Sequence, residues 1–181
     1  HVNGHSIRGL HLPAAHTDGD TIVRFRESNV FHMGDTFHNA GYPFVDLGSG
    51  GHIDGLINAA ATVLSLANDD TRIIPGHGPL ATPADLQRYH DMLETTVSIV
   101  RKRLEQGMTE EQIVEQGLGE EGVSWGSQVT WASKCVCMST KPGVTSLPLA
   151  SSSSLPRPRS VPTAAMRSPL TATSASRNFE P

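Results

Sequence analysis

Three short polar patches, each closing an apolar run, organise the front of this chain. They are His16-Thr17-Asp18-Gly19-Asp20, Met33-Gly34-Asp35-Thr36 and Pro75-Gly76-His77-Gly78-Pro79. An apolar run that ends in glycine, proline and aspartate is a strand giving way to a loop. Three such ends bring imidazole and carboxylate groups to one rim of a sheet, aimed at a common metal. His16, Asp35 and His77 are the candidate metal ligands. Glycine flanks Asp35 and His77 directly, and Pro13 and Gly19 lie three residues to either side of His16, so the backbone can turn sharply near each of them.

Residues 6–12, with Ile7, Leu10 and Leu12, read as a strand broken by Pro13-Ala14-Ala15. Residues 20–25 and 29–33 form two more, joined through the polar turn Arg26-Glu27-Ser28-Asn29 as a hairpin. The outer ends of that hairpin carry the His16 loop and Asp35, and Gly34-Asp35 is expected to end the third strand. A glycine-rich loop over 37–51 precedes an amphipathic helix at about 53–67. Its apolar face is Ile53, Leu56, Ile57, Ala60, Val63, Leu64 and Ala67. Asn68-Asp69-Asp70 stops it, and 71–74 is a short buried strand ending at Pro75. Thr82 caps a long helix with Pro83 at its first position. Leu86, Tyr89, Leu93, Val97, Val100 and Leu104 are its buried stripe, and Gly107 ends it. Thr109-Glu110-Glu111-Gln112 is a capping box that opens one more short helix. The expected class is α/β, one mixed sheet with packed helices.

The 181 residues carry a net charge of −4, unevenly spread. From Ser127 onward there are six Lys/Arg and one acid, a local +5 that leaves −9 for the first 126 residues. All nine histidines lie at or before His90. The chemistry therefore belongs to residues 1–126. Residues 127–181, with a serine run at Ser151 to Ser154 and Pro156, Pro158, Pro162 and Pro169, are expected to be a disordered tail. Their basic excess would suit contact with nucleic acid or anionic lipid, but composition favours the plainer reading, an unstructured tail. Cys135 and Cys137 are too close to pair readily, and no zinc-type cysteine framework surrounds them. No apolar run reaches the roughly 18 residues that a membrane span needs. The start at His1, without Met or a signal-like segment, reads as processing or truncation.

The three motifs in this order, the helix between them and the Pro79-Leu80-Ala81-Thr82 helix start resemble the C-terminal part of the metallo-β-lactamase-fold hydrolases. The resemblance covers about residues 1–118. It implies part of an αββα sandwich with a metal pair at its rim. His16 would complete the first metal site, His77 would belong to the second, and Asp35 would bridge both. The implied ion is zinc, two ions in a complete family member and one or none here. A hydroxide held between metals would attack an ester, thioester, lactam or similar bond of a small-molecule substrate, with Asp35 as the catalytic carboxylate. The family's His-x-His-x-Asp-His pattern does not occur in these 181 residues. The fragment is therefore expected to bind metal weakly and to hydrolyse little. Two rival readings keep the fold: a non-catalytic remnant or binding module, and a mononuclear iron oxygenase built on two histidines and one aspartate. Neither a nucleic acid nor a membrane is an expected partner.

The remaining candidates receive plainer readings. His32 is a satisfied strand histidine and His90 faces out. His38 and His52 lie in the loop near the proposed site and are either pocket-lining residues or, the plainer reading, simply solvated. Asp18 or Asp20 either orients His16 through its other ring nitrogen or caps the turn, and Asp20 is read as structural. Tyr42, Phe44 and Trp125 are candidate apolar walls. Gly48-Ser49-Gly50-Gly51 fails the dinucleotide pattern, because Ile53 stands where the last glycine belongs.

Overall fold

The computed structural model describes residues 3–117. The expected tail, the boundary before it and Trp125 lie outside the described residues.

Four strands make one mixed sheet in the order β1-β2-β3-β4: β1 (Ile7–His11), β2 (Thr21–Phe25), β3 (Val30–His38) and β4 (Arg72–His77). β1, β2 and β3 pair antiparallel, whereas β3 and β4 run parallel. A parallel pair needs a crossover, and α1 (Ile53–Leu66) supplies it. Ile22, Phe31, Met33 and Ile73 point from the sheet to a common core. α1 meets them with Leu56, Ala59, Ala60 and Val63, and α2 (Pro83–Glu105) with Leu86, Tyr89, Leu93, Val97 and Val100. The opposite sheet face carries the exposed Ile7, His32 and Ile74.

The caps fall where the residue types place them. The Thr82 hydroxyl accepts from the Asp85 backbone, and the Asp85 carboxylate accepts from the Thr82 backbone at 2.8 Å. Thr109 and Gln112 repeat the box at α3 (Glu110–Gln116), whose Ile113 is fully buried. One charged tie joins the helices. Arg101 on α2 donates to both carboxylate oxygens of Asp54 on α1, at 3.0 and 3.2 Å. Asp54 is buried, so without that guanidinium it would be an uncompensated internal charge.

Two strand ends depart from the sequence reading. β3 continues through Gly34 and Asp35 to His38, and β4 continues through Pro75 to His77. Gly34 adopts φ +54°, and the register shifts there without ending the strand. Its Cα partner in β4 is Pro75. Proline lacks an N–H, but on an edge strand beside an irregular register that loss is tolerated. The consequence is functional: Asp35, His38 and His77 all stand on paired strand ends instead of loose loops.

Candidate metal centre

His16 is fixed through its backbone. Ala15 is fully buried, its carbonyl accepts from His52 N at 2.9 Å, and the His16 carbonyl accepts from Asp46 N at 2.9 Å. Gly51 and Gly55 make this approach possible. A Cβ on Gly55 would overlap the Ala14 carbonyl and come within 2.8 Å of Ala15 Cα. A Cβ on Gly51 would overlap the His16 carbonyl. The His16 ring is oriented by a 2.8 Å hydrogen bond between Nδ1 and the Phe44 carbonyl. A carbonyl only accepts, so Nδ1 carries a proton, and in the neutral ring Nε2 is the nitrogen that presents a lone pair. This is the arrangement in which a metal-binding histidine is usually held.

Asp35 and His77 are brought in by the β3–β4 pair. Thr36, beside Asp35, is buried; its hydroxyl donates to the Met33 carbonyl at 2.7 Å, and its own carbonyl accepts from Tyr89 Oη at 3.2 Å. Burial pushes the Tyr89 hydroxyl well above its ordinary pKa, so it remains a donor. Gly76 leaves room for the carboxylate: a Cβ there would overlap Asp35 Oδ1 and lie 2.6 Å from the Gly34 carbonyl. At the strand end, Asn39 N donates to the His77 carbonyl at 2.9 Å.

The three residues chosen from the sequence meet pairwise. Asp35 Oδ1 lies 3.2 Å from His77 Nε2, and Asp35 Oδ2 lies 3.8 Å from His16 Nε2. Among the described residues, only His90, Asp91 and Glu94 bring three donor atoms within 4.8 Å of one another. His16, Asp35 and His77 are thus not gathered round one point. Asp35 stands between two imidazoles and offers each a different oxygen. Two donors on one tetrahedral zinc, each bonded at about 2.0–2.1 Å, stand roughly 3.4 Å apart. The His77 pair fits that separation and the His16 pair is slightly wider. Imidazole and carboxylate also form a donor set suited to zinc or iron.

These three side chains, with His38 and the Tyr42-Pro43-Phe44 segment, line a cavity of about 510 Å³. Tyr42 and Phe44 are therefore walls, as the sequence reading expected. Phe44 is 57% exposed, and its ring tilts against that of His16 at 5.9 Å. His38, expected in a loop near the site, sits on β3 and lines the cavity, with its ring stacked on His77 at 5.2 Å. Burial, and then the proximity of His77, hold its pKa below the ordinary histidine value, while Asp35 opposes them.

Other candidates go elsewhere. His52 is not in the cavity; it is buried as the N-cap of α1, where Nδ1 accepts from Asp54 N at 3.2 Å. Asp20 accepts from Thr17 N at 2.8 Å and is structural. The Phe44 carbonyl takes the orienting role weighed for Asp18 or Asp20. His32 is exposed, and its Nδ1 accepts from Gly34 N at 3.2 Å. His90 is partly covered on α2, 3.5 Å from Asp91 and 3.8 Å from Glu94, away from the cavity. Gly48-Ser49-Gly50-Gly51 binds Asp46, which caps a single 3₁₀ turn.

The mixed sheet, its parallel crossover and the packed helices form part of a metallo-β-lactamase fold. Neither a family model nor a curated protein matches the sequence. Among solved structures, the chain is similar to the stereoselective inverting sec-alkylsulfatase Pisa1 from Pseudomonas sp., at TM-score 0.61 and 16% identity over 77% of this chain and 25% of that one. A metallo-β-lactamase from Pontibacter korlensis matches at TM-score 0.45 and 13% identity, over 52% and 44% of the two chains. TTHA1623, solved in a di-iron-bound form, matches at TM-score 0.39 and 29% identity, over 45% and 40%. The chain spans about a quarter of the length of the alkylsulfatase. Among the described residues, no helix is long and apolar enough to cross a membrane.

Proposed function

We propose that this chain carries one side of the metal centre of a hydrolase that opens an ester, thioester, lactam or similar bond in a small molecule. The observation that carries the reading is Asp35, which faces the Nε2 of a different imidazole with each carboxylate oxygen. His16 and Asp35 would hold one ion, His77 and Asp35 the other. We take the ion to be zinc, and the same donor set suits iron. A bound divalent ion lowers the pKa of its water toward neutrality and polarises a carbonyl or related centre. The protein's own part is to fix the donors. The Phe44 carbonyl holds His16 in one tautomer, and Gly76 admits the carboxylate between the strands. The Tyr42-Pro43-Phe44 wall supplies apolar surface to exclude water beside the reacting bond.

The chain offers three of the donors, and its sequence lacks the His-x-His-x-Asp-His pattern that would supply more. The test is metal content by elemental analysis, together with chelator-sensitive hydrolysis of a simple aryl ester, on the purified chain. We expect zinc or iron to be retained, with little turnover. A chain that binds neither metal would be a non-catalytic remnant. One tightly held iron, with oxygen consumption and no hydrolysis, would favour the oxygenase reading.

A further inference from the structure

His16 and His77 flank the same carboxylate but are held by different means. His16 has its second ring nitrogen tied to a backbone carbonyl, and its side chain is 20% exposed. The His77 side chain is 64% exposed, and among the described residues no hydrogen bond restrains its other nitrogen. What touches its ring is His38. The two residues are Cα partners across β3 and β4, and their rings stack at 5.2 Å with planes 30° apart.

His38 is well placed to hold a neighbour. Phe37, just before it, is fully buried and packs edge-on against Tyr89 at 4.9 Å, so the end of β3 is anchored in the core. Nδ1 of His38 is buried and has no hydrogen-bond partner among the described residues. A buried polar atom left unsatisfied costs free energy, so the contact that the ring does make is its stacking on His77 and not a hydrogen bond at this nitrogen.

We propose that His38 is a positioning residue: its ring, stacked on His77, keeps that imidazole aimed at Asp35. The proposal rests on the reading of Asp35 and His77 as metal-holding partners. A second-nitrogen hydrogen bond usually does this for a metal-binding histidine. Here an aromatic face does it instead, because offset stacking restricts ring rotation. The role needs a flat ring, not a nitrogen.

The experiment measures zinc affinity of the full chain by competition with a chromophoric chelator, for wild type, His38→Ala and His38→Phe. Apo melting temperatures and cobalt(II) absorption spectra are recorded alongside. We expect His38→Ala to weaken zinc binding by roughly 10–100-fold, the usual cost of losing a residue that orients a ligand. The apo melting temperature should change little. His38→Phe should recover most of the affinity and the wild-type cobalt spectrum. Should His38→Ala fail to fold, His38→Leu fills the space without a flat face and takes its place. Wild-type affinity in His38→Ala would overturn the proposal. So would equal losses in His38→Ala and His38→Phe, since the nitrogen would then be what matters. Absence of zinc binding by the wild type would instead remove the metal-centre reading on which the proposal stands.

Discussion

On the His16 flank of Asp35, the backbone does the holding. The chain around residue 16 lies against the start of α1 through hydrogen bonds from His52 and Asp46, with glycines at 51 and 55 making the contact possible. On the His77 flank, a more exposed imidazole at a strand end leans on a neighbouring ring. The contrast separates two kinds of dependence. A side chain held through buried backbone shares its fate with the fold. A side chain held by a neighbouring ring can be loosened while the fold survives.

Substitutions on each flank sharpen or break that contrast. The largest effect is expected from Gly55→Ala. Its methyl would meet the Ala14 carbonyl with backbone on both sides, which leaves no flexible side chain to yield. We expect a loss of roughly 3 kcal/mol in urea unfolding, with zinc affinity falling only as the folded fraction falls. A stable variant with lost affinity would reverse the assignment for this flank. Gly76→Ala should cost less stability, roughly 1–2 kcal/mol, because its nearest contact is a side-chain oxygen, Asp35 Oδ1, and the Gly34 carbonyl lies farther off than the Ala14 carbonyl does from residue 55. Its zinc affinity should fall at least as far as that of His38→Ala, since the methyl meets Asp35 Oδ1 directly. Unchanged affinity there would mean that Asp35 does not need its observed position.

The smallest effect belongs to a site remote from both flanks. Thr82→Ala removes the α2 cap and should cost about 1 kcal/mol without altering zinc affinity. The Thr82 hydroxyl, above all, holds the Asp85 carboxyl below its ordinary pKa. A depressed folded-state pKa stabilises above the unfolded value and is lost as pH falls through the folded one. The stability gap between wild type and Asp85→Asn should therefore close on acidification below the ordinary carboxylate range. A gap that persists there would assign the cap's contribution to something other than the charged carboxylate.

Much of the architecture was readable because its signals are local. The period of the apolar residues in α1 and α2, the Thr82 and Thr109 boxes and the polar turn at 26–29 each act within a few residues, and each lies where expected. The misread strand ends have one cause. Gly34 and Pro75 each look like stops, yet they are partners in the β3–β4 pair. Strand pairing is a property of two segments, and neither glycine nor proline alone reveals it. The same extension moves His38, expected near the site but in a loop, onto the end of β3. His52 was misjudged because histidine is not a usual cap, although its neutral ring nitrogen can accept from a helix N–H. No side-chain signal points to the Phe44 carbonyl, since any residue at position 44 would offer the same group. His16, Asp35 and His77 were found as motif centres, but the two-sided role of Asp35 depends on distances that spacing in the sequence does not contain.

Zinc titration of wild type, Asp35→Asn, His16→Ala and His77→Ala under one set of conditions tests the carboxylate between the imidazoles most directly. We expect Asp35→Asn to weaken binding more than either histidine substitution, because it withdraws a charged donor from both flanks. Binding by Asp35→Asn as tight as the wild type's would contradict the arrangement.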